Sequence, residues 1–413
     1  MPKSLRNWIC VLFVTAGCGI LICSAGAGSP NEPQNSPRPL EILDALWKAL
    51  QDNYPMMEYA GAFEDSWYEE AKSKIEGMTD LDQALPVMDA LVKRLNDYHT
   101  RLLWRGKPRL LTPSMSLGLV EERIAVLDRD SGTPVDPGDI VLTIDSSDAK
   151  AQFDLLYPEA FGATRYARNQ DACRTLVARP EGSVVHLRLS NPMKGEYEVD
   201  LSCNMAPHFL RHPVLSTHLV EKDIGYIRIL RWADFSPAEF DSQLQQFRNT
   251  NCIILDVRDN GGGSDNLAAQ VIGRFINHKV VCSISFHRQP GTDQYRKTVE
   301  FAEPRGEWQY SGKTAVLTNE GCVSATEHFV SGMKEAGAIL VGTPTSGACG
   351  WIRPIQLPGD VQLYCSRTFP LHGKVPSPLH GIEPDELVLP TLEALRTGRD
   401  EVLDKAIQAL KAE

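Results

Sequence analysis

An uninterrupted apolar run followed by three glycines constrains the fold of this chain more than any other feature of its sequence. Residues 252–257 are apolar except for Asp256. A run of this length and composition is typical of a buried strand. Glycines occupy positions 261–263, and apolar residues then recur at helical spacing from about residue 266 to residue 276. The segment therefore predicts a strand, a tight turn and a helix, which is the repeating unit of an α/β fold.

The residues around this segment continue the same alternation. Further strands are predicted at 225–230, 280–286, 314–318 and 339–342, and a further helix at 325–336. Ser236, Pro237 and Glu239 have the spacing of a helix start with a capping box. We therefore expect residues 207–413 to form an α/β core, a mixed sheet with packed helices.

Two different regions precede this core. Apolar residues recur at helical spacing over residues 40–54 and 81–95, so residues 40–104 predict an N-terminal helical unit that ends in the polar turn Asp97-Tyr98-His99-Thr100. Residues 105–206 instead contain short β-like runs, at 117–120, 124–127, 139–145, 183–189 and 197–201. The stretch PGDIVLTID at 137–145 resembles an element of PDZ domains, which implies a β-rich PDZ-like domain that presents or gates a chain end. The alternative is a generic β insertion.

The first 27 residues have the pattern of an export signal. Lys3 and Arg6 precede an apolar stretch from residue 8 to residue 22, and Ala25-Gly26-Ala27 supplies a small-residue cleavage site. The apolar stretch is short of the roughly 20 residues that span a bilayer, so we expect no stable membrane span after cleavage. Lipidation at Cys18 is an alternative anchor. Residues 28–39 predict a linker, and the protein is expected to be exported, to a periplasm or the exterior.

Composition excludes several classes of function. Apolar residues make up 42% and charged residues 23%, which excludes a mostly disordered chain and a multi-span membrane protein. The net charge of −11 argues against nucleic acid as a partner. No CxxC spacing occurs among the ten cysteines, so no zinc site or other metal is expected. Cys173 and Cys203 fall in the same β-rich region, and we expect them to be the most favoured disulfide pair.

Three segments contain residues suited to chemistry. The turn at 256–264 offers backbone N–H groups to an anion or oxyanion, although it also fits a tight structural turn. Ser324 is predicted at a helix N-terminus, where it is either a nucleophile or an N-cap. A serine nucleophile needs a base at neutral pH, and His99 is a candidate. A histidine in a polar loop is otherwise solvated.

Taken in order, these segments resemble a known enzyme family, the C-terminal processing (tail-specific) serine peptidases. The resemblance rests on the runs GYIRI, CIILDVRDNGGGS, AVLTNEGCVSATEHF, AILVGTPTSG and HGIEPDELV. It implies a crotonase- or Clp-like protease core, a polypeptide substrate and no cofactor. It also implies Ser324 as the nucleophile, with Glu327 as the glutamate that follows it. The implied oxyanion donors are the backbone N–H of Ala325 and that of a glycine, Gly262 with Gly261 beside it.

The sequence departs from the better-known branch of that family, which uses a Ser–Lys dyad. Ala348 occupies or adjoins the lysine position, and no lysine occurs between Lys334 and Lys374. The turn at 97–100 instead resembles that of the tricorn-like branch, which implies His99 as the general base. The glutamate that this branch places before the late element at 381–385 is missing.

The residue that orients His99 therefore stays open, with Asp97, Glu327 and Glu383 as candidates. We expect an exported serine endopeptidase that acts through an acyl-enzyme. One alternative is a catalytically weak or inactive relative that binds a peptide or an apolar ligand. Another is a cysteine-based enzyme using Cys322 or Cys349.

Overall fold

The computed structural model describes residues 37–56, 65–205, 213–292, 294–372, 375–376 and 380–412. The predicted signal and most of the predicted linker lie outside these residues. Within them, no helix has both the length and the apolar character needed to cross a membrane.

Three helices and one strand form the N-terminal unit: α1 (Pro39–Asn53), α2 (Asp65–Ile75), α3 (Leu81–Lys93) and β1 (Arg101–Trp104). Pro39 occupies the first turn of α1, and a reciprocal pair of hydrogen bonds between Arg38 and Glu41 closes that turn. Asp80 caps α3 through a bond from the backbone N–H of Asp82. The helices predicted at 40–54 and 81–95 are confirmed. The short, highly charged α2 was not anticipated.

A β-rich unit, residues 105–205, follows. Its elements are β2 (Leu110–Leu111), β3 (Met115–Val120), β4 (Arg123–Arg129), β5 (Ile140–Ile144), β6 (Ser147–Asp148), α4 (Ala149–Leu156), α5 (Arg165–Val177), β7 (Arg179–Pro180), β8 (Val184–Asn191) and β9 (Gly195–Ser202). The main antiparallel sheet has the order β3-β4-β5-β8-β9, and α5 packs along β3. All five strands predicted in this region are present.

The expected Cys173–Cys203 disulfide is wrong: both residues are buried free thiols in the core of the β-rich unit. The Cys203 thiol donates to the carbonyl oxygen of Val177 at 3.4 Å. Burial raises the pKa of Cys173 to about 12. Because disulfide chemistry proceeds through the thiolate, this environment favours a packed thiol over a cross-link.

The core comprises strands and helices in alternation. They are β10 (Leu215–Glu221), β11 (Ile224–Ile229), α6 (Pro237–Gln245), β12 (Cys252–Asp256), α7 (Asp265–Ile272), β13 (Val280–Arg288), β14 (Tyr295–Ala302), β15 (Lys313–Thr318), α8 (Ala325–Glu335), β16 (Ile339–Gly342), β17 (Ile352–Leu357), β18 (Val361–Ser366), β19 (Thr368–His372), β20 (Val375–Pro376), β21 (Glu386–Leu387), α9 (Leu392–Thr397) and α10 (Glu401–Lys411). The central sheet has the order β10-β11-β12-β15-β16-β21, parallel except for β10.

Helices cover both faces of the central sheet. On one face, Phe240 of α6, Val271 of α7 and Phe329 of α8 pack on strand residues such as Ile253. On the other, Leu410 of α10 packs in a separate apolar cluster. The predicted α/β core is therefore confirmed as three layers, and the capping box at Ser236 is present as expected.

Two details of the core differ from the sequence prediction. The strand predicted at 280–286 is present as β13, but it joins a separate antiparallel sheet with β14 and β19. Helix α7 ends at Ile272, four residues before its predicted end. Gly273 is the C-cap, and its carbonyl oxygen accepts from the backbone N–H of Arg305 at 2.9 Å instead of continuing the helix.

One strand pairing joins the N-terminal unit to the core. Strand β1 pairs antiparallel with β18, with Arg101 opposite Tyr364 and Trp104 opposite Val361. Strand β18 also pairs with β17. Because β1 begins one residue after Thr100, this sheet fixes where the turn that carries His99 lies on the core.

Candidate active site

Ser324 occupies the N-cap position of α8 in a backbone conformation that is costly for a serine. Its φ of 58° and ψ of −123° are the product of a sharp turn between strand β15 and the helix. The side chain makes no capping hydrogen bond. The backbone N–H donates to the carbonyl oxygen of Ala348 at 2.8 Å, which fixes the residue. Ser324 is therefore at the N-cap position without capping the helix through its side chain, and the hydroxyl is not committed to the helix.

Gly262 lies directly against Ser324. A Cβ at Gly262 would lie 2.9 Å from the Ser324 Cβ and 3.4 Å from the backbone nitrogen of Ala325, and the glycine φ is +101°. The N–H of Gly262 donates to Asn260 Oδ1 at 3.0 Å. The glycine turn is thus beside the serine, as expected, but the Gly262 donor is already engaged by a side chain.

The glycine turn is held by contacts on both of its sides. Trp232 N–H donates to the Gly262 carbonyl at 3.0 Å, and Ser264 N–H donates to the Trp232 carbonyl at 2.9 Å. Asn260 Nδ2 donates to the Ile229 carbonyl at 3.0 Å, and Thr326 Oγ1 donates to Asn260 Oδ1 at 2.8 Å. These bonds lock the turn, with Gly261 in it, to the first turn of α8.

His99 is buried, with 4% of its surface exposed. Its Nδ1 has no hydrogen-bond partner among the described residues. Burial lowers the pKa of His99, and among nearby charges Asp97 and Asp265 raise it while Arg101 and His328 lower it further. Asp265 follows the glycine turn and His328 lies in the first turns of α8, so His99 is within range of charges on both of the elements that adjoin Ser324. The lowered pKa keeps the ring neutral at pH 7, the form that accepts a proton.

Asp97 holds the backbone of this turn. Its Oδ1 accepts from the backbone N–H of His99 at 3.0 Å, and its Oδ2 accepts from Thr100 Oγ1 at 2.6 Å. Thr100 Oγ1 in turn accepts from the backbone N–H of Ser366 in β18 at 3.0 Å. Asp97 therefore positions the histidine through main-chain geometry, and no hydrogen bond to the imidazole is formed.

Glu327 is fully buried beneath the loop that follows β16. Its Oε1 accepts from Thr345 Oγ1 at 2.6 Å and from the backbone N–H of Gly347 at 2.9 Å. Burial raises the pKa of Glu327 to about 7, although these two hydrogen bonds oppose the shift. Glu327 thus anchors the loop that carries Ala348, whose carbonyl holds Ser324.

The third candidate, Glu383, is exposed, and its backbone carbonyl accepts from Lys334 Nζ at 3.1 Å. In the part of the chain that the structure describes, none of the three carboxylates is hydrogen-bonded to the His99 ring. Ala348, at the position where a lysine was sought, is 1% exposed, so a buried methyl group fills that space.

A second buried histidine was missed by sequence reasoning. His328 Nδ1 lies 3.1 Å from Asp265 Oδ1 and 3.2 Å from Glu300 Oε2. Burial lowers the pKa of His328, but the neighbouring Cys349 and Asp265 raise it well above its usual value, so its surroundings favour the protonated ring. The available signal was its position four residues after Ser324, one helical turn along α8.

The two cysteines near the site are poor nucleophiles. Burial raises the pKa of Cys349 to about 12 and that of Cys322 well above its usual value. The Cys322 thiol donates to the carbonyl oxygen of Val257 at 3.1 Å. Since the thiolate is the reactive form, this geometry disfavours a cysteine-based enzyme. Across the described ranges, no three His, Cys, Asp or Glu side chains are grouped to hold a metal.

Solved protein structures share this fold. The chain resembles CPAF, solved in complex with lactacystin, with a TM-score of 0.72 and 17% identity over 90% of this chain and 98% of that one. It also resembles the photosystem II D1 C-terminal processing protease, with a TM-score of 0.54 and 16% identity over 90% of this chain and 97% of that one. At these identities the likeness defines a class of fold, the α/β architecture of processing proteases.

Sequence comparison points to one peptidase family. Residues 223–388 match the model of peptidase family S41. A curated relative, the chloroplastic carboxyl-terminal-processing peptidase 2 of Arabidopsis thaliana, is 24% identical over 345 residues. The match covers 75% of this chain and 60% of that relative, so the chain spans somewhat under two thirds of the relative's length.

Proposed function

We propose that the protein is a serine endopeptidase that hydrolyses polypeptides. The observation that carries the proposal is the geometry of Ser324, which stands in a strained turn at the start of α8, uncapped and against Gly262. A strained strand-to-helix turn is how serine hydrolases expose a nucleophile. The match of residues 223–388 to the peptidase family S41 model supports the same activity and does not favour an inactive binding protein.

His99 and Ser324 would share the proton transfers. The neutral imidazole takes the Ser324 proton as Oγ attacks the substrate carbonyl, and the resulting imidazolium returns it to the leaving amine. Water then repeats the sequence on the acyl-enzyme and restores the serine. The backbone N–H of Ala325, at the N-terminus of α8, would bind the oxyanion. Gly262 could join it only by releasing Asn260 Oδ1.

A fluorophosphonate probe tests this assignment. We expect the probe to label Ser324, and we expect both labelling and peptide cleavage to disappear in Ser324→Ala. Ser331→Ala is the matched control, because Ser331 is a second serine of α8, about two turns beyond Ser324. Equal cleavage by Ser324→Ala and the unaltered protein would contradict the proposal.

Because the pKa of His99 is lowered, labelling should be constant above about pH 6.5 and fall on the acid side.

We also propose that the chain is exported and that the β-rich unit, as a PDZ-like domain, receives a chain end. The export proposal rests on the pattern of residues 1–27. Mass spectrometry of protein made in cells should find a new N-terminus after Ala27.

The proposal for the β-rich unit rests on α5 lying along β3, the arrangement of a strand-addition groove. Peptides with a free carboxyl terminus should then be cleaved faster than their amidated counterparts.

A further inference from the structure

A cavity of about 250 Å³ lies between α7, α8 and β14. Its walls combine apolar groups with three ionisable side chains, Asp265, Glu300 and His328. Pockets for drug-sized ligands are typically about 300–1,000 Å³, so this cavity is suited to a single side chain.

The cavity adjoins the proposed nucleophile. Asp265 is the first residue of α7, directly after the turn whose Gly262 contacts Ser324. His328 follows Ser324 by one turn of α8, a rise of about 6 Å along the helix axis. Cys349, next to Ala348, places its Sγ 3.7 Å from the Ser324 carbonyl oxygen. Asp265 and His328 therefore lie on the elements that adjoin Ser324, which puts the cavity on the α7–α8 side of the proposed nucleophile.

The cavity has an excess of negative charge. Asp265 and Glu300 face one imidazole, so one negative charge is left over even when His328 is protonated. Among the ion pairs of the described residues, neither carboxylate is joined to a lysine or arginine. The side chains of Asp265 and Glu300 are 43% and 29% exposed, so an incoming cation reaches both.

The rim of the cavity suits the rest of a basic side chain. The ring of Phe301 lines the cavity and is 42% exposed, and the half-buried Ala269 adds apolar surface for an alkyl stem. Lys279 lies over the Phe301 ring, 4.2 Å from its centroid, but its ammonium pairs with Glu303 at 2.8 Å. The neighbouring lysine is therefore neutralised by a carboxylate outside the cavity.

We propose that this cavity is a specificity subsite that accepts a lysine or arginine side chain of the polypeptide, next to the bond that Ser324 attacks. The inference rests on the proposed peptidase activity and adds the class of substrate to it. Three features support this inference. The cavity has the size of one side chain, it contains more carboxylates than cations, and it lies one helical turn from the proposed nucleophile.

The test uses pairs of quenched fluorescent peptides that differ only in one residue beside the scissile bond, lysine or arginine against methionine. We expect kcat/KM to be higher for the basic peptide by roughly two- to fivefold, the effect of a partly exposed ion pair. Asp265→Asn with Glu300→Gln should abolish this preference and leave methionine peptides cleaved. Glu335→Gln, which removes an exposed carboxylate at the far end of α8, is the control and should keep the preference.

The outcomes distinguish failure of the proposed subsite from failure of the proposed peptidase activity. Equal rates on basic and methionine peptides, with Ser324 still labelled by fluorophosphonate, overturn the subsite alone. Absence of both cleavage and labelling overturns the peptidase activity, and the subsite with it. If the double variant fails to fold, the unaltered protein can be tested instead. Its preference for the basic peptide should shrink as salt is raised from 50 to 500 mM, because salt screens the attraction between charges, and an unchanged preference would overturn the subsite.

Discussion

Gly262 is the residue that most tightly limits the space around Ser324. Its φ of +101° is accessible to glycine at little cost, and any side chain would meet Ser324, Val323 and Ala325. The glycines of this turn were recognised in the sequence as an oxyanion candidate. The structure adds a second role, which is to let the serine approach the turn.

Gly262→Ala is expected to destabilise the protein by about 1–3 kcal/mol and to abolish fluorophosphonate labelling, because strain and a clash coincide there. Gly132→Ala is the matched control: Gly132 has a φ of +90° and no atom within 4 Å of an added Cβ. We expect Gly132→Ala to lose stability because of backbone strain alone and to keep normal fluorophosphonate labelling. Urea unfolding and labelling measure the two effects, and loss of labelling in both variants would contradict a local clash.

The buried Glu327 predicts how the stability of the protein depends on pH. Its pKa is raised from 4.5 to about 7, so the folded protein holds this proton more tightly than the unfolded chain does. The contribution to stability is therefore fully present below about pH 4.5 and is lost as pH rises to about 7.

In Glu327→Gln, the amide oxygen can still accept from Thr345 and Gly347, and no charge is buried. This variant should match the unaltered protein near pH 5 and exceed its stability at pH 8 by about 1–3 kcal/mol. Urea unfolding at the two pH values makes the comparison. A stability difference that does not change with pH would show that Glu327 is not the titrating group.

Among the secondary-structure elements, the turn between α3 and β1 connects parts of the chain that are far apart in sequence. Thr100 Oγ1 donates to Asp97 and accepts from Ser366 of β18, so one hydroxyl ties the histidine turn to the core. A buried acceptor left without its donor costs about 1–3 kcal/mol.

Thr100→Val keeps the shape of the side chain and removes both bonds. We expect a loss of about 1–3 kcal/mol in stability and a fall of about tenfold in kcat with little change in KM, because His99 is positioned less well. Thr133→Val, which removes a bond to Ser114 in the β-rich unit, should lower stability alone. A rise in KM at constant kcat would argue against a positioning role for Thr100.

Local sequence patterns accounted for the elements whose determinants are neighbours in the chain. The capping box at Ser236, the apolar strand at 252–256 and the glycine turn all depend on residues a few positions apart. The pairing of β1 with β18 and the contact of His328 with Glu300 depend on residues far apart in sequence, and no local pattern encodes them. For the same reason, Cys173 and Cys203 were correctly placed in one unit but wrongly paired.

On the scale of the whole molecule, α9 connects the core to the β-rich unit. Leu392 is 4% exposed and packs with Val120 and Ala125. Arg396 Nε donates to the Gly138 carbonyl at 3.0 Å, and a Cβ at Gly138 would lie 2.5 Å from Arg396 Cγ. The last part of the chain therefore fixes where the proposed substrate-binding unit lies.

Leu392→Ala with Arg396→Ala should loosen this connection without unfolding the core. We expect faster amide hydrogen exchange over residues 115–144 and unchanged exchange in β12 and β15. Arg399→Ala, which removes an exposed partner of Glu401, is the control and should leave both regions unchanged. Faster exchange confined to α9 would show that the contact does not hold the β-rich unit.

The pairing of β1 with β18 also determines when the protein can become active during its synthesis. The bond from Ser366 to Thr100 closes a loop of 266 residues, so the proposed base has no fixed position until nearly the whole chain has been made. A nascent chain that already contains Ser324 would thus be inert towards its surroundings. We expect chains that stop at residue 350 to resist fluorophosphonate labelling, because they lack β18 and with it the bond that holds the histidine turn, so the order of synthesis itself would delay the proposed activity.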